Sequence, residues 1–324
     1  MRRQLPIIAH ALLFASSLCA REPKKPDPPK KEIEIELAQS VTMRFVRIEP
    51  SEFLMGSADE DKRAAPDEKP QRRVKITKAF YLGKFEVTRG QFRVFVDEIK
   101  YKTVAERYQE EFRRPGYSWR NPRFTLSPQT DEHPVVVVTW EQAKLFCQWL
   151  QKHPKAKAAD VKEVRLPTEL EWEYACRAGT TTRNSVGDRD TDLQGYANIS
   201  DISRNRDNWF ARRLPPWDDG YIYTAPVGKF KPNPWGLFDM HGNVYEWCED
   251  YYGPYKDLPA TDPLRDKVFG DNESRVIRGG SWQTSESVCA SANRDWRSSG
   301  KGWKASWSTD VGFRVLVSVS ESQR

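Results

Sequence analysis

The sequence predicts an α+β domain built from short strands, few helices and much loop. Three observations carry this expectation. Apolar–polar alternation recurs in runs of only a few residues, as short half-buried strands require. Helix-start signatures occur at three places among these runs, without the regular strand–helix alternation of a parallel sheet. Long polar stretches spotted with aromatics separate the elements, and loops of that length tend to be functional when they are ordered.

Met1-Arg2-Arg3-Gln4 is basic, and Leu5 to Ala20 is apolar and ends in small residues. That run is too short to span a bilayer comfortably and reads as a secretory signal over residues 1–20. Cleavage after Ala20 is expected, with a lipid anchor on Cys19 as the competing reading. The expected setting is secreted, periplasmic or cell-envelope, with membrane contact only through such an anchor. Residues 21–40 open with a Lys/Pro/Glu-rich segment that has almost nothing to bury, so they are assigned to a tether. Within them Ile33-Glu34-Ile35-Glu36-Leu37 alternates and is read as a marginal edge element.

The folded domain is expected over residues 41–319, followed by a tail at 320–324. Met43 to Ile48 alternates as a strand does, and Phe53 to Ser57 is a second candidate ended by glycine. Val74-Lys75-Ile76 and Ala79 to Leu82 supply two more. Thr88-Arg89-Gly90-Gln91, Thr139-Trp140-Glu141-Gln142 and Thr168-Glu169-Leu170-Glu171 each place threonine three residues before Gln or Glu. In that capping box the hydroxyl and the longer side chain satisfy two orphan backbone N–H groups. Gly179 is the expected stop of the third helix. Between the first two helices, Lys100 to Glu132 carries Tyr101, Tyr108, Phe112, Tyr117, Trp119 and Phe124, which argue for an ordered loop.

Trp235 to Trp247 holds Asp239 and Glu246 around a Gly242-Asn243 turn, flanked by Trp235, Phe238, Tyr245 and Trp247. Aromatics need burial, and carboxylates resist it unless paired or bound to metal. One reading is a calcium site, because calcium accepts carboxylate and carbonyl oxygens in irregular geometry. The other is a solvated turn over packed aromatics.

Composition bounds the function. The chain has 324 residues, a formal net charge of +6, 30% charged and 38% hydrophobic residues, and its basic residues are dispersed among acids. No basic stripe argues for nucleic acid. Without the signal, Cys147, Cys176, Cys248 and Cys289 remain, and no CxxC spacing suggests zinc. In an oxidising compartment, disulfides are expected: Cys289 with Cys248 or Cys176, or Cys147 with Cys176. No nucleophile motif or Gly-rich phosphate loop is present.

By Phe53 to Ser57, Phe85-Glu86-Val87-Thr88, Ser118 to Pro122, His133 to Trp140, Arg165 to Ala175, Trp235 to Trp247, Arg275 to Trp282 and Gly312-Phe313-Arg314, the chain resembles the formylglycine-generating enzyme family, also called the sulfatase-modifying factor family. The resemblance implies a variant of the C-type lectin fold. It also implies two structural calcium sites. The first would use the Asn198 and Asp219 side chains with the carbonyls of Ile199 and Tyr221. The second would use Asp239 and Glu246 with the carbonyls of Gly242 and Val244. Every side chain named offers the oxygen a hard cation wants.

Activity in this family is a copper-dependent oxidation of a sulfatase cysteine to formylglycine, with the copper held by two thiolates after a Gly-Gly-Ser-aromatic turn. Here the segment runs from Ser281-Trp282-Gln283-Thr284 to Cys289. Counting forward puts Thr284 at the first cysteine position and Cys289 at the second. Counting backward from Ala292 leaves even Cys289 unmatched. A threonine hydroxyl is a poor ligand for soft Cu(I), so copper is not expected.

The end of the chain offers a binding face instead. Trp and Arg dominate binding hot spots, and Trp282, Arg294, Trp296, Arg297, Trp303 and Trp307 crowd this region. Non-enzymatic relatives place ligands there, so an unidentified protein or small ligand is the expected partner. A formylglycine-generating oxidase is the alternative function.

Overall fold

A computed structural model describes residues 30–109, 115–203, 214–271 and 273–319. The expected signal, Cys19, Phe112 and the tail lie outside the described residues.

The strands are short, as expected. β1 (Glu32–Ala38), β2 (Val41–Ile48), β3 (Glu52–Met55), β4 (Arg72–Lys75) and β5 (Phe80–Gly83) precede α1 (Arg89–Ile99) and α2 (Val104–Arg107). Then come α3 (Trp140–Lys152), α4 (Pro154–Ala158), β6 (Val161–Arg165) and α5 (Glu169–Arg177). After a long loop-rich stretch follow β7 (Tyr245–Tyr251), β8 (Ser274–Arg278), β9 (Asp295–Ser298), β10 (Val311–Gly312) and β11 (Leu316–Val319).

Five strands form one antiparallel sheet in the order β1-β2-β5-β11-β6. The alternation of Ile33, Ile35 and Leu37 makes β1 its edge, with these side chains buried and the glutamates exposed. Within the stretch 21–40, Glu32–Ala38 therefore belongs to the sheet, because three buried aliphatics tie β1 down. A second sheet runs β10-β7-β8-β9, with β10 parallel to β7, and β3 pairs with β4.

The larger sheet is covered on both faces. Phe45 points to one side, where Phe92 and Phe95 of α1, Phe146 of α3, Trp119 and Phe313 pack together. Trp119 from the long loop meets Phe92 edge-on at 5.3 Å, which orders this part of the loop as its aromatics implied. Such pairs contribute about 0.5–1.5 kcal/mol beyond the area they bury. Val46 points to the other side, against Leu170, Trp172 and Cys176 of α5 and Leu237 and Met240 beneath β7.

All three capping boxes form. Thr88, Thr139 and Thr168 accept from the N–H of Gln91, Gln142 and Glu171, whose side chains return the bond. The helix after Thr168 ends at Ala178, itself in the left-handed region at φ 47°, one residue before the expected glycine.

The disulfide expectation is corrected. Cys147, Cys176, Cys248 and Cys289 are all buried free thiols. Each is pushed above its ordinary pKa chiefly by burial: Cys147, Cys176 and Cys289 to about 12, and Cys248 well above the usual range. They fill core volume as small apolar residues do.

Candidate functional site

The first expected cation site is assembled by one carboxylate. Asp219 Oδ2 accepts from Ile199 N at 3.0 Å, and Oδ1 accepts from Tyr221 N at 2.8 Å. This joins two loops and brings Asn198, Ile199, Asp219 and Tyr221 together. Asp201, fully buried, accepts from Asp219 N at 2.5 Å. Carboxylate oxygens of Asp201, Asp218 and Asp219 lie within 4.8 Å of one another. Burial, then the charge of Asp201, pushes Asp219 up to about 7. Asn198 Nδ2 donates to Tyr223 O at 2.9 Å and to Asn243 Oδ1 at 3.0 Å. A carbonyl can only accept, so the amide cannot be flipped. Asn198 Oδ1 then points elsewhere, buried and without a hydrogen-bond partner. A buried acceptor with no donor is costly, and a cation would relieve that cost.

The second site lies on the turn leading into β7. Asp239 is buried; Oδ2 accepts from Gly228 N at 2.7 Å, and Oδ1 has no hydrogen-bond partner. Glu246 is more committed than its expected role required. Arg314 meets both its oxygens at 2.6 Å, and Trp172 Nε1 donates to it at 2.7 Å. Glu86, a residue the sequence reading left out of the site, is buried beside them. Its carboxyl is pushed well above its ordinary value by burial, then by the charges of Asp239 and Glu246. Burial likewise raises Asp239 to about 6. Three buried carboxylates thus face the single guanidinium of Arg314, which leaves room for a divalent charge. Gly242, at φ 114°, lets the turn pass so close to Asn198 that a Cβ would overlap its carbonyl oxygen. At both places the donor set is oxygen, and one buried oxygen lacks a donor; these residues fit calcium.

The Ser281–Cys289 loop is attached to both sites. Ser200 N donates to Thr284 O at 2.9 Å, and Trp282 N donates to Asn243 O at 2.9 Å. Within the loop Thr284 Oγ1 lies 3.5 Å from Cys289 Sγ, the relation expected from the forward count. Ser281 Oγ donates to Asp310 Oδ2 at 3.2 Å. One hydroxyl facing one buried thiol does not make a two-thiolate copper site, so the donors present do not fit Cu(I).

The expected binding face is redistributed. Arg294 is buried: it forks onto Glu169 at 2.7 and 2.8 Å and lies 4.1 Å from the Tyr255 ring centre, so its guanidinium is committed to a core ion pair. Trp282 and Trp307 are buried as well; Trp282 meets Phe124 and Tyr223 edge-on at 5.4 and 5.2 Å. Trp296 on β9 is 45% exposed, and Arg297 beside it is half-buried. The Trp303 side chain lies outside the described part of the structure.

Asp201, Asp218, Asn243 and Glu86 are participants that sequence reasoning missed. The available signal was slight: Glu86 is one acid between Phe85 and Val87, in a segment with no other polar demand.

Known proteins bear on this geometry. The description "Sulfatase-modifying factor enzyme 1-like domain" matches residues 31–319. The formylglycine-generating enzyme of Streptomyces coelicolor is 32% identical over 276 residues, spanning 75% of this chain and 80% of that protein. A bovine (Bos taurus) protein named inactive C-alpha-formylglycine-generating enzyme 2 is 30% identical over 279 residues, spanning 76% of this chain and 79% of its own length. The solved structure of PvdO from Pseudomonas aeruginosa superposes with a TM-score of 0.70 at 26% identity, covering 92% of this chain and all of that one. With its curled sheets, few helices and long ordered loops, the chain belongs to the sulfatase-modifying factor family and has that family's C-type-lectin-like fold.

Proposed function

We propose that this protein is an extracytoplasmic, ligand-binding member of the family, carried on a calcium-stabilised scaffold and lacking copper oxidase chemistry. The observation that carries this reading is the pair Thr284 and Cys289, oxygen and sulfur 3.5 Å apart, with the thiol raised to about 12 by burial. A hydroxyl facing one thiol supplies at most one of the two thiolates of a linear Cu(I) site. Calcium is supported by the donor-free oxygens of Asn198 and Asp239. In this role Asn198, Asp219, Asp239 and Glu246 hold the ions with the carbonyls of Ile199, Tyr221, Gly242 and Val244. The ions tie separate loops together and have no part in turnover.

Trp296 is the exposed part of the ligand face, an apolar ring on the edge strand β9, with the half-buried Arg297 next to it in the chain and turned to the other face of the strand. Extracytoplasmic placement rests on the signal read over residues 1–20.

The test is an oxidase assay. The purified full-length protein is incubated with Cu(I), oxygen and a peptide holding the sulfatase Cys-x-Pro-x-Arg motif, and mass spectrometry looks for aldehyde. No aldehyde is expected. Its formation would overturn the non-oxidase reading and favour the formylglycine-generating alternative.

A further inference from the structure

We propose that Asn243 couples the two cation sites, so that filling either one tightens the other. The inference rests on the calcium reading above and extends it from two separate ions to one linked device.

Asn243 is fully buried between Gly242 and Val244, the two residues whose carbonyls are assigned to the second site. Every polar group it has is hydrogen-bonded, two of them to Asn198 of the first site. Its Oδ1 accepts from Asn198 Nδ2 at 3.0 Å and from Ala225 N at 2.9 Å. Its Nδ2 donates to Glu86 Oε2 at 2.7 Å. Its peptide N donates to Asn198 O at 2.8 Å, and its peptide O accepts from Trp282 N at 2.9 Å. The amide orientation is settled at both ends, because Ala225 N–H can only donate to Oδ1 and Ala225 O, 3.4 Å from Nδ2, can only accept. The backbone stands at φ 60°, a left-handed conformation that asparagine tolerates.

The first site takes the Asn198 side-chain oxygen; the same amide's nitrogen holds Asn243. Glu86 adds a second strap, since its other oxygen accepts from Val244 N at 3.2 Å. Any adjustment of Asn198 toward an ion is therefore passed directly to the peptide that bears the second site's carbonyls. The ion that binds first orders the shared segment, and the ion that follows meets a segment already ordered. That is positive cooperativity by shared ordering cost. Coupling of this kind typically amounts to about 5–150-fold in affinity, and by linkage it is the same in both directions.

The experiment is calorimetric titration of Ca²⁺ into chelator-stripped, full-length protein. Asp219→Ala disables the first site and Asp239→Ala the second. Each variant is expected to bind one ion, with a Kd at least about fivefold weaker than that site shows in the wild type, and by the same factor in both variants. Asn243→Gly keeps the left-handed backbone and removes the carboxamide; in that background the factor falls to about one. Should this variant not fold, Asn243→Asp keeps the shape and the contacts of Oδ1 but loses the donor to Glu86, and it too lowers the factor. Two ions bound with Kd values indifferent to each other would overturn the coupling. Coupling that survives loss of the Asn243 carboxamide would overturn the route. A wild type that shows neither heat of binding nor any change in melting with Ca²⁺ would defeat the calcium reading itself, a result distinct from the other two.

Discussion

Thr284 shows how far one side chain decides chemistry. Replacing it by cysteine sets a second sulfur opposite Cys289 on a loop whose first turn is already held by Ser200 and Asn243. Thr284→Cys is therefore expected to tighten Cu(I) binding at least about tenfold, or ~1.4 kcal/mol, measured by competition with a chromophoric Cu(I) chelator. An unchanged affinity would mean that the two positions do not form one ligand pair. His133 gives a different residue-scale prediction. Burial, then the charge of Arg89, lowers its pKa to about 4, while Nδ1 accepts from Thr130 N at 3.0 Å. The native form is neutral, so between pH 6.5 and 4 the unfolded chain binds the extra proton. The stability this histidine confers is full above pH 6.5 and is lost as pH falls toward 4, by roughly 1.4 kcal/mol per unit. Urea denaturation of wild type and His133→Asn should show their stability difference shrinking over that interval; a constant difference would refute the assignment. The burial of Arg294 was not legible, because its partner Glu169 lies 125 positions away.

At the scale of elements, the helix starts were legible because a capping box is a local device spanning four residues. Thr139→Ala should cost about 1 kcal/mol, within the 0.5–2 kcal/mol range of N-cap losses, by denaturant titration. A change near zero would indicate that α3 is held by its buried Trp140, Ala143, Phe146 and Leu150 alone. The strand β7 was not legible: Tyr245 to Cys248 are all buried, so the two-residue alternation that marks a half-exposed strand is missing. β1 shows the reverse case. Its alternation was plain, but its Lys/Pro-rich neighbour drew it into the expected tether, and only the pairing with β2 shows it to be part of the sheet.

For the whole molecule, the proposed calcium at two oxygen-rich sites in a loop-rich fold would link stability to calcium. Each filled site contributes about 2.7 kcal/mol at a free concentration a hundredfold above its Kd. For a chain of this size that is roughly 4–5 °C per site. Removing calcium with a chelator should lower the melting temperature by that amount in scanning calorimetry, and restoring excess calcium should reverse it. A melt indifferent to both would count against the sites. By itself the sequence determined the family, the α+β class, the three helix starts and the oxygen character of the candidate donors, because each is written in neighbouring residues or in the order of segments. Only the tertiary structure decided which donors stand together: Glu86 with Asn243 across 157 positions, Glu246 with Arg314 across 68, and Thr284 against Cys289 as hydroxyl facing thiol. The physical reason is that a buried charge or amide takes its role from the partners that desolvate and neutralise it, and in this fold most of those partners come from distant loops.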